Sequence, residues 1–475
     1  MASVFAKIAY LPPLLKRMNM MEPEKDEKAG WFAQRTTFLF QPVALDPLIA
    51  FRVAFGVAMA LWALYMLFSG NVYDFFIQPN YYFSYPGLSW IKPLSAPGMY
   101  GVFILLFASA VMIGAGWFFR ASTLIFTIAF AYVSLIDQAN YLSYYYYVLL
   151  LSIMLSISPA HRLFSIDLLR KPSLRVDFIP RWSILAFQLQ VALVFIFAGM
   201  AKLNADWLFE GRPMNIWLEN LSLNMGVDFP AWMLAGWFPV VISWFLILFD
   251  FIIPHFLLDK STSTGAFRMV ILIQLSALIL FPAGFFPILT ILSCTVFLPA
   301  EKIHRLISGI SYLLYDLFSF KGEVFQPGGS YMLQYRKKRL FPSILLIFLS
   351  AQILIPVTLF LYWGNGRWTD AAFHFSWDIR LHEKEAQVQI WRTNTENGQE
   401  EEVNINNYLA PHQQRRMAES PDMIRQFIHH LRYDGIDTSA RDFEQVRALA
   451  TISLNGGAPQ PLLDNTSNEE QVEEN

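Results

Sequence analysis

Lys202 closes the apolar run Ser183–Leu203, and Asn204, Asp206 and Trp207 follow it at once, with Gly211-Arg212-Pro213 beyond. An ammonium within hydrocarbon is costly, so a lysine there is kept where it has a partner, a wet cavity or a task. A lysine at the end of a span can also snorkel to the headgroups, and the sequence leaves both readings open. Asp250 lies in another apolar stretch, with Arg52 as a candidate partner. Gln188 and Gln190 sit in the same run as Lys202 and read as hydrogen-bond links between helices rather than ligands. The single cysteine, Cys294, excludes an intramolecular disulfide and a cysteine-based metal cluster. His429 and His430 are adjacent and point to different faces, so no histidine pair has metal-ligand spacing. No phosphate-cradling glycine loop, nucleophile elbow or dinucleotide fingerprint is present, and the net charge of −2 gives no sign of a nucleic-acid partner.

The elements that must position these residues are membrane helices. The chain is 55% hydrophobic, 16% aromatic and only 15% charged, well under the quarter charged that soluble domains carry. Its apolar residues gather in runs that approach the length of about 20 residues a bilayer requires. The candidate spans are 47–68, 98–119, 121–137, 144–158, 183–203, 229–258, 267–281, 286–299 and 340–363, about nine in all. Pro282-Ala283-Gly284 reads as the tip of a helical hairpin, or as a break within one span. Arginine and lysine cluster in the leader 1–46, in the loop from Arg162 to Arg181, at Lys260 and Arg268, and from Lys302 to Arg339. With nine spans all four clusters fall on the cytoplasmic side, the N-terminus is inside, and the chain after Trp363 is outside. The leader lacks the pattern of a signal peptide. Tyr81–Tyr85 reads as an interfacial aromatic belt, and Tyr144–Tyr147 as half belt, half pocket wall.

Beyond the membrane part, residues 47–363, the composition turns soluble. Alternation in Gln387–Trp391, a turn at Asn397-Gly398 and a return through Val403–Ile405 predict a hairpin. Ser420-Pro421-Asp422 starts a helix with Met423, Phe427 and Leu431 on one face. Ala448, Ala450, Ile452 and Leu454 alternate as a later strand. The fold class expected is a multi-pass α-helical membrane bundle with a small C-terminal α+β domain at 364–464, followed by an acidic disordered tail at 465–475.

Several segments together resemble the vitamin K-dependent γ-glutamyl carboxylases and their bacterial relatives, the horizontally transferred transmembrane (HTTM) family. Asp46-Pro47 and Phe51–Gly56 are similar to the opening of the family's first helix, and Phe197–Trp207 with Gly211 to its most specific segment. Ala283–Pro287 resembles its Gly-x-Phe-Pro turn, and Trp368-Thr369 with Phe375–Asp378 the start of its luminal domain. The resemblance implies an integral-membrane enzyme of bacterial inner-membrane type. It implies Lys202 as the base that deprotonates reduced vitamin K, a menaquinol-type quinone, with oxygen and carbon dioxide as co-substrates and no metal. Oxygen converts the quinol into a strong base, the base removes a glutamate γ-proton, the carbanion takes up carbon dioxide, and the quinone leaves as its epoxide. A lysine that takes a proton must be neutral, and low dielectric disfavours the ammonium. The partners implied are the lipid bilayer, the quinone and a Glu-containing secreted peptide.

Asn204, Asp206, Trp207, Tyr144 and Gln274 are the candidate pocket or supporting residues. Tyr144 stands where the family pattern carries a histidine, and Gln274 and Ala277 where it carries His-x-x-Asn. Glutamine can hydrogen-bond but cannot shuttle a proton. The alternative reading is therefore a non-catalytic membrane protein that binds a quinone or lipid. A transporter is the weaker third choice, because no matching broken helices appear in two halves. Removal of Lys202 is expected to cost activity rather than the fold, unless the amine has a buried partner.

Overall fold

The computed structural model describes residues 38–234, 236–280, 284–318, 340–361, 382–394, 399–433 and 443–463. The leader before Phe38, the turn at Asn397-Gly398, the Trp368 and Phe375–Asp378 motifs and the acidic tail lie outside them, as does most of the hairpin tip at Pro282.

The first long helix, α1 (Asp46–Phe68), starts with an acidic residue and a proline in its first turn, which suits the exposed N–H groups and positive end of a helix. It packs on α2 (Ala96–Ala115), where a Cβ on Gly56 would lie 2.4 Å from the Gly114 nitrogen. Only glycine allows backbones this close. Next come α3 (Phe119–Leu135), α4 (Ser143–Ile157) and α5 (Trp182–Ala201). Two short strands, β1 (Pro42–Ala44) and β2 (Phe178–Pro180), pair antiparallel just before α1 and α5. That strap holds the N-termini of α1 and α5 at one end of the bundle. Then follow α6 (Met214–Met225), α7 (Trp237–Leu258), α8 (Ser263–Leu280) and α9 (Phe286–Ser293). The last helices of the bundle are α10 (Ala300–Phe318) and α11 (Leu340–Leu361).

Among the described residues five helices, α1, α2, α5, α7 and α8, are long and apolar enough to cross a membrane. The expected span 286–299 is not a straight helix: Phe286–Phe297 and Ala300–Gly309 meet at 106°, and the pair counts as a sixth span at most. Pro299 favours extended backbone at Leu298 and ends the first piece. Helices α3 and α4, with 17 and 15 residues, are apolar but shorter than a full crossing. Helix length and composition thus establish a multi-span membrane protein and leave the count of nine unconfirmed. The expected span 229–258 is divided into a short helix, Ala231–Leu234, and the long α7, whose N-cap Gly236 takes φ +80.

The C-terminal part is a four-stranded antiparallel sheet in the order β4–β3–β5–β6, built from β3 (Lys384–Asn394), β4 (Glu400–Glu402), β5 (Phe443–Leu454) and β6 (Gln460–Leu463). Two helices, α12 (Pro411–Ala418) and α13 (Pro421–Tyr433), accompany it. Alternation along β3 and β5 sends Ile390, Val446, Ala448 and Ala450 inward, onto Met417, Met423, Ile424 and Phe427. The helix start at Pro421 and the later strand are as expected. The return strand lies at Glu400–Glu402 rather than 403–405, because Asn404 caps a helical turn by accepting from the Asn406 N–H. Tyr81–Tyr85 is not simply a membrane belt. Phe83 and Ala139 enter the core of the sheet unit, and Tyr81 packs on His430 with ring centroids 4.4 Å apart.

Candidate functional site

Lys202 caps the C-terminus of α5, its N–H bonded to the Gly199 carbonyl. Its side chain does not snorkel. The residue is 6% exposed. The amine turns back into the bundle, where Nζ donates to the Ala198 carbonyl at 3.1 Å and to Asp250 Oδ2 at 2.6 Å. Asp250 comes from the middle of α7 and is also buried. The two helices approach at Gly199, where a Cβ would come within 3.2 Å of Asp250 Cβ and 3.1 Å of the Phe251 ring. A Cβ there would require Asp250 or the Phe251 ring to give by a few tenths of an ångström.

The expected partner of Asp250, Arg52, lies elsewhere. Its guanidinium is fully buried near the start of α1 and donates to the Ala160 and Phe164 carbonyls at 2.9 and 2.5 Å. The β1–β2 strap puts the starts of α1 and α5 together, so Arg52 and Lys202 occupy opposite ends of the bundle.

The residues after Lys202 make a compact turn. Asn204 Nδ2 donates to the Ala201 carbonyl, and its Oδ1 accepts from the Trp207 N–H. A wide helical turn follows, Asp206–Glu210. It ends at Gly211, with φ +64 and no room for a Cβ, which would lie 2.8 Å from Pro239 and from the Val240 nitrogen. Trp207 is buried, with its ring centroid 5.6 Å from Lys202 Nζ, close enough for a cation–π contact. It meets Trp217 edge-on at 6.0 Å. Asp206 faces the sheet unit: Asn455 Nδ2 donates to its carboxylate at 2.6 Å. Asn455 holds a left-handed conformation at the end of β5 and exchanges hydrogen bonds with Glu383, while Trp217 Nε1 donates to the Glu383 carboxylate at 3.0 Å. The sheet unit therefore rests on the Lys202 turn.

Two comparisons bear on the chain. An HTTM-domain model matches residues 40–301, and a model of the vitamin K-dependent gamma-carboxylase lumenal domain matches 337–474. The chain belongs to this HTTM and γ-carboxylase family. No solved structure matches it.

For this member of the carboxylase family, the remaining candidate residues stand on other helices, α4 and α8. Tyr144 begins α4, half-buried, beside Tyr145 at 4.9 Å and Phe285 at 6.0 Å. It shares one end of the bundle with Lys202, because the adjoining Tyr141 carbonyl and Asp137 also bond to the sheet unit. Gln274 is half-buried on α8, and its neighbour Ala277 is buried. Gln188 does link helices, donating to the Val296 carbonyl at 3.2 Å. Gln190 and Ser243 are fully buried with no side-chain partner among the described residues. Ser243 lies two turns from Asp250 on the same face of α7. Among the described residues no cluster of His, Cys, Asp or Glu could hold a metal ion.

Asp250 and Asn455 are site residues to which no site role was assigned from the sequence. An aspartate within an apolar helix is visible in the sequence as an anomaly. Its partner stands 48 residues away on another helix, a separation that no periodicity reports.

Proposed function

We propose that this membrane protein oxidises a reduced quinone of the vitamin K type and uses the strong base so generated to carboxylate peptide glutamate, with Lys202 as the group that takes the quinol proton. The observation that carries this reading is the buried Lys202–Asp250 pair at one end of an apolar helix, beneath the sheet unit. The residues fit a quinol. Trp207 and Ile247 provide apolar surface, the pair provides a proton acceptor, and the unpartnered Ser243 hydroxyl is a free hydrogen-bonding group on the same face of α7. An unsatisfied buried hydroxyl costs about 1–3 kcal/mol, so a polar ligand group reaching Ser243 would recover that cost. When bound, the quinol supplies with oxygen the chemistry that removes the glutamate proton. The chain's own part is to hold the amine dry, take one proton from a hydroxyl and keep water out. The domain order supports the sidedness: lipid-soluble quinone enters through the helices, and peptide arrives at the sheet unit.

A second reading, a quinone- or lipid-binding protein without catalysis, is favoured by Tyr144 and Gln274 standing where the family carries histidines. One experiment separates the two. Purified protein receives reduced vitamin K or menaquinol, oxygen and bicarbonate with a Glu-containing peptide, and epoxide and γ-carboxyglutamate are measured independently. Epoxide from wild type and none from Lys202→Ala is the expected result. Neither product from wild type, or undiminished epoxide from Lys202→Ala, would sink the catalytic reading.

A further inference from the structure

We propose that Asp250 is the final acceptor of the proton that Lys202 takes, so that the two act as a relay rather than Lys202 acting as a lone neutral amine. The catalytic part of this role rests on the reading of Lys202 given above; the proton sharing within the pair does not.

The geometry is that of a direct, dry contact. Nζ and Oδ2 are 2.6 Å apart, and the side chains are 8% and 11% exposed. Of the three ammonium donors, one points to Asp250 and one to the Ala198 carbonyl. The Trp207 ring flanks the same nitrogen. The other charged groups nearby are engaged elsewhere. Asp206 accepts from Asn455, Arg212 pairs with Glu210 at 3.2 Å on the partly exposed turn, and Glu383 accepts from Trp217. Glu219 on α6 is exposed, while His255 stands in the last turn of α7, beyond Asp250, and Asp259 caps that helix.

Charge conservation decides between the relay and the lone amine. A neutral amine that takes a proton from a hydroxyl creates two charges where there were none, and creating charge in a dry site is costly. The pair avoids this. The ammonium gives one proton to the Asp250 carboxylate and takes another from the hydroxyl. One O–H bond breaks on the donor and one forms on Asp250. The ammonium keeps its charge and exchanges its partner, from the carboxylate to the new oxyanion. One ion pair is present before the transfer and one after it. Gly199 supports the same arrangement, because its missing side chain lets Asp250 and Phe251 lie close against α5.

The test uses the full-length protein in detergent with menadiol, the reduced form of menadione, under argon so that no turnover occurs. Infrared difference spectra should show the carbonyl stretch of a protonated carboxylic acid appearing as menadiol binds. Isotope labelling of aspartate carboxyls should shift that band without any mutation. It should be absent from the difference spectrum of Asp250→Asn. In Lys202→Met the uncompensated acid should be protonated before menadiol is added, so nothing new should appear. In air, Asp250→Asn should lower kcat for epoxide formation about 100-fold, with KM within about threefold, and Asp250→Glu should recover part of the loss. Wild-type protein that retains menadiol without the band, or Asp250→Asn turning over within about threefold of wild type, would overturn the relay and leave the Lys202 reading standing. The band without any epoxide in air would support the relay and overturn the catalytic reading. Wild-type protein that retains no menadiol would overturn both.

Discussion

Lys202 and Asp250 are stable only as a couple, and that sets what substitution does to the fold. Removing one member of a buried ion pair leaves an uncompensated charge, typically a loss of 3–5 kcal/mol, about as much as a small domain's margin. Lys202→Ala is therefore expected to lower the unfolding temperature as well as to stop epoxide formation. The double variant Lys202→Met/Asp250→Leu should recover most of that stability, because apolar groups of similar volume replace a buried pair at little cost. Thermal unfolding in detergent checks this, and a double variant less stable than either single one would refute it. The lysine was legible in the sequence because charge inside an apolar run is conspicuous. Its direction was not. Snorkelling and inward burial share one sequence, and the partners that α7 and α5 bring to the amine, Asp250 and the Ala198 carbonyl, separate them.

At the level of elements, the loop after α3 works as a seat for the sheet unit. Asp137 is buried there and accepts from the Phe83 and Ala139 N–H groups and from Gln413 Nε2 of α12. Burial raises its pKa to about 6, against the hydrogen bonds that pull it down. A carboxyl with a raised pKa binds its proton more tightly in the folded, seated form. Its contribution to seating is present below about pH 4 and is lost as the pH rises through about 6, roughly 2–3 kcal/mol in all for a two-unit shift. The sheet unit should resist proteolysis better at pH 5 than at pH 7.5, and Asp137→Asn should remove most of that difference. An unchanged pH dependence in the variant would assign it to another group. The strands and α13 were legible because period-2 and helical patterns are local. The seat was not, because Phe83 and Gln413 are brought together only by tertiary packing. Aromatic residues at a membrane surface look alike whether they meet lipid or a folded unit.

For the whole molecule, the β1–β2 strap constrains topology beyond what charge counting gives. It fixes the starts of α1 and α5 at one end, and the basic residues from Arg162 to Arg181 run into β2 at that end. Positive charge marks the cytoplasmic side. A reporter fused after Lys338 should read cytoplasmic, and one fused after Asp464 external. Opposite results would invert the molecule and separate the sheet unit from any secreted peptide. The multi-span character was plain from composition. The number of crossings was not, because α3, α4 and the bent α9–α10 pair lie near the length at which a helix stops being a full span.

The grip of Asn455 on Asp206 has a mechanical consequence. Asp206 stands four residues after Lys202 in a turn whose closing residue, Gly211, is wedged against α7. The sheet unit is joined to that turn by hydrogen bonds and apolar contact, and Cys294 offers no covalent tether. On the proposed function, any displacement of the unit by an arriving peptide would therefore pull on the same short lever that carries the amine. If Lys202 takes the quinol proton as proposed, displacing the sheet unit and shifting the amine would lie along one coordinate, and the pair would be in register only while the unit is seated.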